Sequence, residues 1–66
     1  MMDFRELLAH FEGKKFLRYI YIEIQGDSAD KYSYEEIRND YPEYLNKRVK
    51  SWLFDAEYNT LDVELY

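Results

Sequence analysis

Few side chains in this 66-residue chain could carry catalysis, because it contains no cysteine and only one histidine. His10 falls beside the apolar stripe of a predicted helix, near the C-terminal end, where the helix dipole favours a protonated ring. Ser33 precedes a second predicted helix and fits a cap, and the other serines lie in no nucleophile motif. Acids that lie close together in the sequence could act as acid–base pairs, but they are explained by helix starts or by a solvated surface. The sequence therefore predicts a protein that is not an enzyme.

The loop that begins at Asp27 is the segment closest in composition to a cation site. A calcium-binding EF-hand loop requires an oxygen ligand at its third position, glycine at its sixth and glutamate at its twelfth. Here those positions hold Ala29, Tyr32 and Arg38. A turn of small polar residues explains the segment. With no thiolate and no phosphate-binding motif elsewhere, we predict neither a metal nor a cofactor.

Charge and length restrict the partners and the location. The chain has 14 acidic and nine basic residues, for a net charge of −5, which disfavours nucleic acids and anionic membranes. It lacks an apolar run of about 18 residues and a signal peptide, so we expect a cytoplasmic protein. A domain this small cannot enclose a large pocket, so no small-molecule substrate is expected. Residues 1–66 are predicted to form a single domain.

Helical spacing and capping residues predict the first helix. Asp3 and Glu6 match a capping box, with Met2 and Leu7 as the accompanying hydrophobic staple. The helix is expected to begin at Phe4 and to end near residue 12, ahead of a glycine that favours helix termination.

Alternating apolar residues then predict a strand from Lys15 to Gln25. Isoleucines occupy one face of this strand, and the other face is apolar or amphiphilic, which suits a central position in a sheet. Residues 26–30 read as a polar loop.

A second capping box, Ser33 with Glu36, predicts a short helix from Tyr34 to about Asn39. Pro42 is acceptable as the first residue of a further helical turn that runs to Lys47.

The segment from residue 48 to residue 58 fits either helical or strand spacing. We favour a hairpin, because alternation from Trp52 to Tyr58 agrees with alternation from Leu61 to Leu65 around a turn at Asn59. A turn at 58–59 places Asp55 opposite Asp62. A turn at 59–60 places Asp55 opposite Glu64, and residue 57 opposite residue 62.

These elements assemble into a small two-layer α+β domain, in the order α-β-α-(short α)-β-β. The sheet is predicted to be three-stranded and mostly antiparallel, with the helices on one face. The side chains expected beneath the helices are Ile20, Ile22, Ile24, Trp52, Phe54, Val63 and Leu65.

The other sheet face combines tyrosines, leucines and acids. Tyrosine supplies a large contact area with few rotatable bonds and is favoured where partners dock. We therefore predict a non-enzymatic protein-interaction module, binding either a second copy as a homodimer or another protein, with a basic surface favoured. The last strand is expected to offer an open edge for pairing. The candidate partner-binding residues are Leu17, Tyr19, Tyr21, Glu23, Leu53, Asp55, Glu57, Asp62, Glu64 and Tyr66.

Three other interpretations stand beside this one. The face could simply be solvated, with acids that prevent edge aggregation. The acids could instead mimic phosphates and inhibit a nucleic-acid-binding protein, as small phage or mobile-element inhibitors do. Lastly, Lys14, Lys15 and Arg18 interleave with Phe16 and Tyr19, which would suit a weak single-stranded nucleic-acid binder.

Overall fold

The computed structural model describes residues 2–11 and 17–66. The seven elements in chain order are α1 (Phe4–Phe11), β1 (Tyr19–Ile24), β2 (Asp30–Tyr32), α2 (Tyr34–Asp40), a 3₁₀ helix (Pro42–Asn46), β3 (Val49–Asp55) and β4 (Thr60–Leu65). No described helix has the length and apolar character needed to cross a membrane.

Both predicted capping boxes are confirmed. The Glu6 amide donates to Asp3 Oδ1 at 2.8 Å and the Asp3 amide donates to Glu6 Oε1 at 3.4 Å. The Glu36 amide donates to Ser33 Oγ at 3.1 Å, and the Ser33 amide donates to Glu36 Oε1 at 3.0 Å. These bonds satisfy amides that a helix start leaves without partners. The predicted end of α1 near residue 12 lies outside the described residues.

The turn after the second helix is confirmed as well, with Pro42 at the start of the 3₁₀ helix. That helix ends at Asn46, one residue before the predicted Lys47. Helix α2 runs to Asp40, one residue beyond the predicted end.

The sheet differs from the prediction in strand number and in direction. It has four strands in the order β2-β1-β4-β3, so it is mixed, with β1 parallel to β4 and antiparallel pairs at both sides. The predicted three-stranded sheet lacked β2, which is only three residues long and begins inside the predicted polar loop. Three residues are too few to show alternation. The central position predicted for the first strand is confirmed.

The helices cover one sheet face, as predicted, and form a two-layer α+β domain. The alternate residues of the two central strands point into this layer, together with the apolar stripe of α1 and Ile37 of α2. The fully or nearly fully buried side chains are Phe4, Leu7, Leu8, Phe11, Ile20, Ile22, Ile37, Val49, Leu61, Val63 and Leu65.

Trp52 corrects the predicted core. It lies on β3 opposite Val63, yet 45% of the residue is exposed. Its ring meets the edge of Phe11, with centroids 5.9 Å apart, and Phe54 packs on the same Phe11 ring at 5.2 Å. β3 is one of the two outer strands, so Trp52 has a neighbouring strand on one side only, which leaves part of its ring open to solvent.

The hairpin is confirmed, but both predicted registers are wrong. Asp55 pairs with Thr60 and Leu53 with Asp62, so residues 56–59 form the connection, and Ala56 and Tyr58 lie outside the strand. One oxygen of Asp55, Oδ1, accepts from the amides of Glu57 and Tyr58 at 2.9 and 3.3 Å. This side-chain bonding widens the turn beyond the predicted two residues.

The predicted open edge at the last strand is also wrong, because β4 lies between β1 and β3. The outer strands are β2 and β3. At the start of β3, the Val49 amide donates to the Met2 carbonyl and the Phe4 amide to the Lys47 carbonyl, both at 2.9 Å. The register then shifts by one residue between Val49 and Ser51. Such an irregularity and a covering segment are devices that blunt an exposed edge.

Candidate functional site

The sheet face turned away from the helices carries its side chains in three rows that cross the strands. We call this surface the outer face. Its first row is Tyr19, Thr60 and Asp55; its middle row is Lys31, Tyr21, Asp62 and Leu53; and its third row is Glu23, Glu64 and Ser51.

The outer face is a continuous surface of exposed and half-buried side chains. Leu53 is 66% exposed and Tyr19 is 38% exposed. Asp62 is exposed, whereas Tyr21 and Glu23 are half-buried. Among the described residues, both helices direct their buried side chains to the opposite face. Leu53 is therefore an aliphatic side chain that has most of its surface open to solvent.

Two shallow grooves run over this surface and meet at Tyr21 and Asp62. The first, which we call the tyrosine groove, has a volume of about 540 Å³ and is lined by Arg18, Tyr19, Tyr21, Asp55, Tyr58, Thr60 and Asp62. The second, the acidic groove, has a volume of about 510 Å³. Its charged lining residues are Glu23, Asp62 and Glu64, and its apolar wall is formed by Leu53, Trp52 and Ala29. No described lysine or arginine lines it.

Glu64 is held by two side chains of β3. Ser51 Oγ donates to Glu64 Oε1 at 3.1 Å, and Lys50 Nζ lies 3.4 Å from Oε2. The Ser51 hydrogen bond is the largest effect on Glu64 and lowers its pKa below the usual value. Burial is the second-largest effect and opposes it, and hydrogen bonding and charge from Lys50, with hydrogen bonding to Glu23, add smaller lowering effects. Glu64 is therefore ionised at neutral pH and partly neutralised by its own neighbours.

Asp62 contrasts with Glu64. It lies between Tyr21 on β1 and Leu53 on β3 in the middle row. Within the part of the chain that the structure describes, its carboxylate has no hydrogen bond and no ion pair. No described side chain neutralises its charge.

Tyr19 and Tyr21 differ in the same way. The ammonium of Lys31 lies over the Tyr19 ring, 4.5 Å from its centroid, in a cation–π arrangement. No cation of the described ranges 2–11 and 17–66 lies over the Tyr21 ring. Tyr21 thus lies half-buried at the centre of the outer face, with no described cation over its ring.

Seven of the predicted partner-binding residues lie in the three rows of the outer face, and the other three lie outside these rows. Glu57 lies in the β3–β4 connection, where its amide binds Asp55. Leu17 lies ahead of β1, is half-buried and packs against the core. Tyr66 follows β4 with 49% exposure, and Lys50 Nζ lies 6.0 Å from its ring centroid. The seven are Tyr19, Tyr21, Glu23, Leu53, Asp55, Asp62 and Glu64.

Several groove residues escaped the sequence analysis. Lys31 was missed because no strand was predicted after the polar loop of residues 26–30, and Ser51 and Thr60 were missed because the registers were misjudged. Tyr58 was assigned to a strand, but it lies in the connection, 59% exposed, and lines the tyrosine groove. The signal that could have identified Ser51 and Thr60 is a serine or threonine on the same strand face as acidic residues.

The residues considered for other chemistry are not assembled into a site. His10 is exposed in the last turn of α1, with its ring edge-on to Phe11. Among residues 2–11 and 17–66, no three His, Cys, Asp or Glu side chains are grouped to hold a metal ion. Lys14, Lys15 and Phe16, which carried the nucleic-acid interpretation, lie outside the described residues.

A second group of tyrosines lies where β2, α2 and the 3₁₀ helix meet. Tyr41 and Tyr44 stack with centroids 5.1 Å apart, and Tyr32 packs edge-on against both. Hydrogen bonding with Tyr44 raises the pKa of Tyr32 well above its usual value, and partial burial adds to the effect. Because the three rings pack against one another, they leave no gap between them in which a ligand could bind.

Known proteins offer no guide to this chain. No protein-family model matches it, and no curated protein or solved structure shows significant similarity to it.

Proposed function

We propose that this protein is a non-enzymatic interaction module whose outer face docks another protein. The observation that carries the proposal is Leu53, an aliphatic side chain 66% exposed in a regular strand. Its register partner is Asp62, whose carboxylate has no partner among the described residues, and half-buried Tyr21 follows on the next strand. A polar residue would satisfy the strand at a solvent-facing position, so the fold does not require leucine at residue 53. A partner that covers the outer face would bury Leu53 and place Tyr21 at the centre of the contact, where aromatic anchors contribute most.

The charge of the outer face supports a basic partner. Four carboxylates, of Glu23, Asp55, Asp62 and Glu64, lie in its three rows with one lysine, Lys31. Such a surface attracts a basic patch and speeds the encounter with it. The small area favours a transient complex rather than an obligate one.

The same charge disfavours a face-to-face homodimer. A two-fold axis would bring the same patch of both copies together, and so would oppose their carboxylates.

The observed hairpin register gives a phosphate-mimic inhibitor less support than the predicted registers did. In those registers acids faced acids across the hairpin, whereas here Asp55 faces Thr60 and Asp62 faces Leu53. Asp55 is in addition held by two turn amides.

The test compares Leu53→Asp with Asn39→Asp as baits. Both substitutions add one negative charge at an exposed residue, but Asn39 lies on α2, in the layer behind the sheet. We expect proteins from the source organism's lysate to be captured by the unchanged protein and by Asn39→Asp, and to be lost by about ten-fold or more with Leu53→Asp. Equal capture by all three, with unchanged circular dichroism, would refute docking through the outer face.

Self-association is tested separately by light scattering over a range of concentrations. We expect a monomer. A dimer that dissociates in Leu53→Asp would show that a second copy covers the outer face.

A further inference from the structure

Tyr21 and Asp62 are register partners on the two central, parallel strands, and both grooves meet at them. Neighbouring strands lie about 4.8 Å apart, so an aromatic ring and a carboxylate stand side by side here. Within the described ranges neither has a cation as a partner. An aromatic face next to a carboxylate is complementary to a flat cation that can stack and donate hydrogen bonds at the same time.

The chain itself shows that tyrosines of the outer face accept cations. Lys31 lies opposite Tyr21 in the register, yet its ammonium lies over the ring of Tyr19. Among the described cations, Lys31 therefore covers Tyr19, and none lies over Tyr21. Arg18, which lines the tyrosine groove, forms no ion pair with a described carboxylate.

Resting on the proposed function, we propose that the partner inserts an arginine side chain at this point. Its guanidinium stacks on Tyr21 and donates to the Asp62 carboxylate. Glu23 is the next outer-face residue along β1, about 7 Å away, and adds negative charge on the side of the acidic groove. Arginine fits better than lysine, because its planar fork can stack on a ring while it binds a carboxylate through two N–H groups.

The position of Leu53 indicates which second side chain the partner segment carries beside its arginine. It lies opposite Asp62 on β3, two strands from Tyr21, which is a distance of about 10 Å. Residues of an extended segment two or three positions apart are separated by about 7–10 Å. The occupant is therefore an extended or looped protein segment in which an arginine is followed or preceded, two or three residues away, by an aliphatic side chain.

The first experiment selects a displayed library of random 12-residue peptides on the unchanged protein, after removing peptides that also bind Leu53→Asp. Peptides that depend on the outer face should be enriched in arginine with an aliphatic residue two or three positions away. No face-dependent peptide would refute the proposed docking function. Face-dependent peptides without arginine enrichment would leave docking standing and overturn the arginine site alone.

The second experiment measures one selected peptide by calorimetry against Asp62→Asn, with Asp40→Asn as control. Both residues are exposed, and Asp40 is the last residue of α2. We expect about ten-fold weaker binding to Asp62→Asn and no change with Asp40→Asn. Replacing the peptide's arginine by citrulline should weaken binding to the unchanged protein by a similar factor and have little further effect on Asp62→Asn. Independent, additive losses would show that the arginine does not bind Asp62.

Discussion

The carboxyl groups of Glu23 and Glu64 lie side by side on the parallel strands β1 and β4, as direct register partners. Two like charges at neighbouring positions of a sheet repel and reduce its stability. The structure offsets this with Ser51 and Lys50, which both bind Glu64. The polar side chains of β3 therefore stabilise the sheet on the same face that we propose for docking.

Replacing Ser51 with alanine should raise the pKa of Glu64, because the Ser51 hydrogen bond is the largest of the effects that lower it. A carboxyl whose pKa is lower in the folded state stabilises the fold above its unfolded pKa, about 4.5, and loses that contribution as the pH falls. We expect the unfolding free energy of Ser51→Ala to fall less on acidification than that of the unchanged protein. Carboxyl NMR titration and urea unfolding between about pH 3 and pH 7 measure both effects. Identical titration curves for Glu64 would contradict the assignment.

Loss of either helix cap should destabilise the domain. We expect Asp3→Ala and Ser33→Ala each to lower the unfolding free energy by about 1 kcal/mol, because each leaves a helix amide without its acceptor. Ser28→Ala, in the exposed loop before β2, is the matched control and should change little. Urea denaturation at neutral pH measures all three. Equal midpoints for the capping variants and the control would contradict the assigned role of the caps.

Leu53 and Leu61 should differ strongly in how much stability their replacement costs, although they lie on neighbouring strands. Leu61 is fully buried, and Leu61→Ala should cost about 2–5 kcal/mol. Leu53→Ser should change stability by less than about 0.5 kcal/mol, because that side chain is open to solvent. Thermal or urea unfolding distinguishes them. A large loss for Leu53→Ser would mean that Leu53 supports the fold, and would remove the main argument for docking.

The tyrosine cluster should make the domain sensitive to alkali. The pKa of Tyr32 is raised, so this hydroxyl stabilises the fold below the unfolded pKa, about 10, and the contribution is lost as the pH rises above it. Tyr32→Phe cannot ionise at this position. We therefore expect its unfolding free energy to decrease less between about pH 8 and pH 11 than that of the unchanged protein. Parallel pH dependences in urea unfolding would exclude this role of Tyr32.

The turn after β1 offers a stabilising substitution. Gln25 and Gly26 have φ angles of 50° and 83°, and the Asp27 amide donates to the Ile24 carbonyl at 3.0 Å. Positive φ at two consecutive central residues is typical of a type I′ turn, in which glycine or asparagine is favoured. Gln25→Gly should therefore raise the unfolding free energy by up to about 1 kcal/mol. Gly26→Ala should lower it, even though nothing lies within 4 Å of the added methyl group.

The helices were predictable from the sequence because their starts depend on residues that are close together in the chain. Asp3 with Glu6 and Ser33 with Glu36 determine helix starts through bonds between residues three positions apart, so the sequence contains all the participants. The faces of β1, β3 and β4 were predictable for a similar reason, because alternation is a local property.

Partner strands were not predictable in this way. Nothing near Tyr21 indicates that it pairs with Asp62 in a parallel ladder, since that choice depends on how the whole sheet assembles. Alternation in β3 and β4 is compatible with any register that differs by two residues, and the turn bonds of Asp55 select among them. The candidate site was therefore predicted as a set of residues, but not as an arrangement of rows.

The parallel pairing of β1 with β4 has a consequence for the route by which the chain folds. Ile20 meets Leu61 only after a long loop closes, whereas β3 and β4 are joined by four residues, 56–59. Loop closure over a longer distance costs more chain entropy. We expect the hairpin to be formed in the rate-limiting transition state, and the β1–β4 ladder to complete after it. Ile22→Val should then accelerate unfolding with little effect on the refolding rate, while Val63→Ala should slow refolding.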